Sequence, residues 1–213
     1  MRQTIWLALA LGIFSLGLRL PANLSFLRRY KYLWLTSGLT LTTLTLLFGT
    51  NPMGFGPRLW LGCCGLYLQP SEPLKLLLII FLAAFFADWS GVITRSQAHV
   101  PTFSRFQILI PTLIMTGVAL LLLIFQRDLG TASIFIFIYA VMVFLATGWR
   151  WIPVITALTL TVAGALGYLL FDVVRLRIEA WINPWLDPTG RSYQIVQSLI
   201  SVANGGVFGR GPG

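Results

Sequence analysis

Six apolar runs, each about as long as a bilayer-crossing helix, limit this chain more than any other feature. They cover residues 5–20, 32–48, 70–87, 106–125, 129–147 and 151–171, and a spanning helix needs about 20 such residues. Only 10% of the chain is charged and its mean hydropathy is +0.83, whereas a soluble domain carries about 25% charged residues. That is more apolar surface than a water-facing globule can bury, so the bilayer is the expected solvent. Backbone groups in hydrocarbon must be bonded within their own segment, which makes helices of these runs. The expected fold class is an all-α polytopic membrane protein of about six transmembrane helices. Residues 1–171 would form the bundle and residues 172–213 a long extracytoplasmic loop of the same domain.

The short connections set the orientation. Arg19, Arg28, Arg29 and Lys31 fall in the first, Arg95 and Arg105 in the third, and Arg150 in the fifth, while the second and fourth hold only Arg58 and Arg127. Cytoplasmic loops carry the excess of Lys and Arg, so connections one, three and five are expected inside and the tail outside. Trp89, Trp149 and Trp151 then sit at cytoplasmic boundaries, where interfacial aromatics belong.

The same placement explains the net charge of +9. Basic residues strung between apolar runs serve topology and headgroups, not a nucleic-acid footprint. Adjacent Cys63 and Cys64 lack metal-ligand spacing and read as small apolar fillers. With His99 the single histidine, a multi-histidine metal site is excluded. No cleavable signal peptide is evident. The chain opens almost directly in an apolar run and stops at GRGPG, so a fragment of a longer protein is expected.

Several polar residues stand where they are expensive. Glu72 and Lys75 open the third run, three residues apart and therefore on one helix face. At mid-bilayer each charge would cost about 2.5–3.5 kcal/mol, so they act either as a helix-end ion pair or as the lining of a polar, outward-facing cavity. Asp128, between two runs with almost no loop, is placed to cap the following helix. The tail gathers Arg175, Arg177, Glu179, Asp187, Arg191 and Arg210, interleaved with Trp181 and Trp185. That composition suits a segment lying on the membrane and receiving an anionic lipid head.

Three blocks in this order resemble the SEDS family (shape, elongation, division and sporulation; RodA-, FtsW- and SpoVE-like proteins). They are QPSEPLK at residues 69–75, QRDLGT at 126–131, and the stretch 177–211. The last matches R-x-x-A-x-x-x-P-x-x-D-P-x-G-x-x-Y-Q-x-x-Q-S followed by G-G-x-x-G-[KR]-G. The resemblance implies a ten-span fold, of which this chain would supply the second to seventh spans and the following loop. It implies a peptidoglycan glycosyltransferase that polymerises lipid II, inactive as this fragment alone. Asp187 takes the position of the essential loop carboxylate, and Glu72 and Lys75 that of the family's charged pair. Arg58, Arg177, Gln197, Ser198 and Arg210 match further substrate-side positions. The partners implied are lipid II and a class B penicillin-binding protein, in the bacterial cytoplasmic membrane.

The implied chemistry suits these side chains. Forming a β-linked glycan from an α-linked lipid pyrophosphate inverts the anomeric carbon, so one displacement needs one base. Asp187 as that base would contribute about 10²–10⁴-fold. Pyrophosphate leaves without an acid, and its charge calls for cations: Lys75, the loop arginines, or a divalent ion (Mg or Mn) that the sequence itself does not mark. The chain departs from the pattern at Leu59, where a second arginine is usual, at Arg127 in place of proline, at Arg191-Ser192, and at Pro212. A lipid II flippase and a non-catalytic scaffold for the transpeptidase are the alternative functions.

Overall fold

The computed structural model describes residues 2–19, 25–51, 54, 57–63, 66–95, 102–206 and 209. Cys64, His99, Arg210 and Pro212 lie outside them. Each apolar run is helical: α1 (Arg2–Arg19), α3 (Lys31–Phe48), α4 (Ser71–Arg95), α5 (Thr102–Phe125), α6 (Leu129–Thr147) and α7 (Trp151–Leu170), with a short α2 at Ser25–Arg29. Of these, α6 and α7 are long and apolar enough to cross a bilayer. In α7 only Gly167 is buried, while Val154, Ile155, Leu158, Val162 and Leu166 are all exposed. A helix in water would hide such a set; one in lipid need not, and the chain is a membrane protein.

Two compact units are present, Asn23–Leu160 and Met1–Ala22 with Thr161–Gly213. In the first, α4 is the hub, supplying Leu74, Leu78, Phe81, Leu82 and Phe86 to a core completed by Leu35, Leu123, Phe135 and Val143. Small residues let helices close up without a hydrophobic drive from water. A Cβ on Gly38 of α3 would meet Leu74 Cδ1 at 2.7 Å and Leu77 Cδ1 at 2.9 Å. The many hydroxyls of α3 turn back on their own helix, as Thr42 Oγ1 does to the Gly38 carbonyl at 2.9 Å and Thr45 Oγ1 to Leu41 at 3.0 Å. No hydroxyl of that kind is left bare in an apolar setting.

Three features depart from the expected outline. First, α4 runs past Ala87 to Arg95, and Asp88 on this extension is paired with both Arg28 and Lys31. Second, an all-α chain was expected, yet residues 61–63 and 66–68 form an antiparallel hairpin, β1 (Leu61–Cys63) with β2 (Leu66–Leu68). Third, the expected tail loop is largely helical, with α8 (Asp172–Ile182), a 3-10 turn (Pro184–Leu186) and α9 (Tyr193–Gly205). In α9, Gln194, Gln197, Ser198, Ser201 and Asn204 share one side and Ile195, Val196, Leu199 and Ile200 the other. That is the amphipathic pattern of a helix with one polar and one apolar environment.

Candidate functional site

Asp187 closes the 3-10 turn that follows α8. Asn183 starts that turn, its Oδ1 accepting the Trp185 N–H at 3.3 Å. The chain then doubles back: the amides of Gly190 and Arg191 donate to the two oxygens of Asp187, each at 3.0 Å, and Ser192 N–H donates to its carbonyl at 3.2 Å. This is the fold-back that an Asp followed by Pro and Gly favours. A Cβ on Gly190 would lie 2.4 Å from Asp187 Oδ2, so a side chain there would displace the carboxylate.

A cavity of about 110 Å³ opens beside the carboxylate. Leu176, Glu179 and Ala180 line it from α8 and Asn183 from the residue that caps its end; their spacing puts them on one helix face. Asp187, Arg191 and Ser192 line it from the loop. An ionised carboxylate offers about four acceptor sites, so two amides leave Asp187 free to take a proton or a further hydrogen bond. Arg177 is exposed and one residue off the cavity-lining row, and Gln197 and Ser198 are exposed on the polar side of α9. All belong to the unit that holds Asp187.

Glu72, Lys75 and Arg58 belong to the other unit. Lys75 Nζ pairs with Glu72 at 2.8 Å on the first turns of α4, as their spacing suggested. Arg58 is exposed on the strand-like return of the chain beside the end of α3. That return is fixed by reciprocal backbone bonds between Thr50 and Trp60, 2.8 and 3.2 Å. Gly49 admits it: a Cβ there would sit 2.6 Å from the Arg58 carbonyl.

The blocks at 69–75 and 126–131 meet. Gln69 Nε2 donates to Ser71 Oγ at 3.0 Å and lies 3.5 Å from Asp128 Oδ2, the long limit of a hydrogen bond. Asp128 caps α6 as expected, accepting the Thr131 N–H at 3.2 Å. Gln126, buried, donates from Nε2 to the Thr42 carbonyl of α3 at 2.7 Å. Between them Arg127 has φ 59°. Its N–H bonds to the Ile124 carbonyl and that of Asp128 to Leu123, both at 2.9 Å, the paired bonds of a Schellman helix end. Proline, locked near φ −65° and lacking an N–H, has no place in this turn.

Asp88 and its partners were missed in the sequence, as was Glu179 as a neighbour of Asp187. The i, i+3, i+4, i+7 spacing of residues 176, 179, 180 and 183 was the available signal for the second.

Comparison with known proteins adds the wider context. The family described as "Cell cycle protein", FtsW/RodA/SpoVE, matches residues 1–213. A peptidoglycan glycosyltransferase RodA of Mycobacterium bovis is 35% identical over 216 residues, covering 100% of this chain and 46% of its own length. Stage V sporulation protein E of Bacillus subtilis is 35% identical over 174 residues, 81% of this chain and 45% of its own. A structure described as "Structural coordination of polymerization and crosslinking by a peptidoglycan synthase complex" superposes with a TM-score of 0.64 at 29% identity, over 97% of this chain and 57% of that one. The chain spans about half the length of the curated relatives it matches.

Proposed function

The chain belongs to the FtsW/RodA/SpoVE family of cell cycle proteins, and on that footing we propose that the intact protein polymerises lipid II into peptidoglycan glycan strands. The carrying observation is Asp187, whose carboxylate is held by two backbone amides beside a cavity while keeping acceptor capacity. In the proposed reaction Asp187 removes the proton from the attacking sugar hydroxyl as that oxygen bonds to the anomeric carbon. The bond to the lipid pyrophosphate breaks, and undecaprenyl pyrophosphate leaves with the electron pair. Glu72, Lys75, Arg58, Arg177, Gln197, Ser198 and Arg210 bind substrate, the cations among them offsetting the phosphate charge. Among the described residues no group of three metal-ligating side chains gathers. A Mg or Mn ion at the pyrophosphate would supply neutralisation of its charge.

The proposal extends to topology and partners. This chain would supply six of ten spans as a bundle over residues 1–171. Residues 172–213 would lie outside the cytoplasmic membrane, where lipid-linked sugars are polymerised. A class B penicillin-binding protein is the proposed partner, supported by the likeness to a peptidoglycan synthase complex that coordinates polymerization and crosslinking. Relatives named as glycosyltransferases favour polymerisation over flipping or scaffolding.

The test is Asp187→Ala in the protein expressed from its complete reading frame and supplied with purified lipid II. Glycan product should disappear; unchanged synthesis would remove Asp187 from the mechanism.

A further inference from the structure

The chain has six acidic residues, and five have an evident structural engagement. Glu72 pairs with Lys75, Asp88 with Arg28 and Lys31, and Asp128 caps α6. Asp172 stands in the first turn of α8, where unsatisfied amides favour a negative charge. Asp187 takes two amides. Glu179, an exposed residue, has neither an ion pair nor a cap among the described residues, and it lines the cavity beside Asp187. A second polar group there is also uncommitted: Ser192 is 3% exposed, and its hydroxyl caps nothing on α9.

The lining decides what such a cavity holds. Glu179 and Asp187 bring two negative charges against the single positive charge of Arg191, which disfavours a phosphate. Asn183, Ser192 and Glu179 instead offer mixed donors and acceptors beside the apolar Leu176 and Ala180, the complement of a sugar ring with its hydroxyls and C–H faces. We infer that Glu179 is a substrate-binding residue of the Asp187 cavity, accepting a hydrogen bond from a hydroxyl of the acceptor sugar next to the attacking one. Ser192 supports the same ring from the cavity floor. This rests on the reading of Asp187 as the base and assigns the acceptor sugar to the α8 side of its cavity.

The experiment is the rate of glycan synthesis against lipid II concentration in the intact protein. Loss of a hydrogen bond to a charged acceptor should raise KM about tenfold or more in Glu179→Ala, with kcat less affected. Glu179→Gln, whose amide oxygen still accepts, should recover most of that loss, and it keeps the test open where the alanine variant does not fold. Ser192→Ala should raise KM by a smaller factor. A Glu179→Ala protein with unaltered KM, or a glutamine variant no better than alanine, overturns the assignment. If Asp187→Asn abolishes product while Glu179→Ala does nothing, this inference alone fails; full product from Asp187→Asn sinks the base reading instead.

Discussion

At Asp187 a general base needs a fixed direction as much as it needs a charge. Pro184 and Pro188 stiffen the backbone on either side, but the carboxylate itself is aimed by the amides of Gly190 and Arg191. The prolines were visible as a brace in the sequence. The fold-back was equally present in Asp-Pro-Thr-Gly, as the side-chain-to-backbone turn that aspartate favours, and was not read. Position and charge can be separated experimentally. Gly190→Ala leaves the acid in place but sets a methyl group 2.4–2.6 Å from its oxygens, so the carboxylate or the turn must shift. Displacements near 1 Å cost about 100-fold in catalysis, and glycan synthesis by Gly190→Ala should fall by that order while the protein still folds. Activity equal to that of the unaltered protein would mean that the aim of Asp187 is irrelevant to turnover.

Among the elements, the α5–α6 junction shows how a near-absent loop is stabilised: a Schellman end on α5 runs straight into the Asp128 cap of α6. Arg127 bears the cost, since a non-glycine residue in the left-handed region loses about 1–2 kcal/mol. Arg127→Gly should therefore raise the thermal midpoint of the detergent-solubilised protein. Arg127→Pro should lower it, through a destabilisation of about 3 kcal/mol, with a bond lost and φ unreachable; an unfolding curve unchanged by proline would show that the turn re-forms freely. On α3, Gly38→Leu should destabilise by about 1–3 kcal/mol through overpacking against Leu74 and Leu77. The helices were readable because spanning runs advertise themselves by length and hydropathy, and the Asp128 cap by its place before an apolar run. The pairing of β1 with β2 was not, because these strands are three residues each, too short for alternation to register. Nor were α8 and α9, hidden by the expectation that a polar tail is a loop. The cavity needed both the α8 face and the fold-back of residues 187–192, a tertiary meeting that no single stretch announces.

Across the whole molecule, Arg28 and Lys31 figure in the sequence as topology signals alone, yet both also hold an acid. Asp88, beyond the apolar run 70–87, accepts from Lys31 and from Arg28. The Lys31 hydrogen bond, opposed by desolvation and aided by Arg28, holds its carboxyl below the ordinary value of 3.8. A depressed folded-state value contributes stability that is fully present above the unfolded value and is lost as pH falls through the folded one. The two ion pairs tie α2 and the start of α3 to α4 at neutral pH and should release them only in strong acid, below about pH 4. Asp88 is partly exposed, so solvent screening keeps the contribution to about 1 kcal/mol or less. Asp88→Asn should thus lower the unfolding midpoint slightly at pH 7, with the difference from the unaltered protein closing as the pH drops through this range. A gap that stays constant with pH would mean that shape, not charge, joins the two helices. The orientation that these cations specify is tested in the intact protein by single cysteines placed at Thr189 and at Ser25. Under the proposed topology a membrane-impermeant thiol reagent labels the first in whole cells and the second only after lysis. The reverse pattern would put Asp187 on the cytoplasmic side, away from the face where the proposed polymerisation takes place.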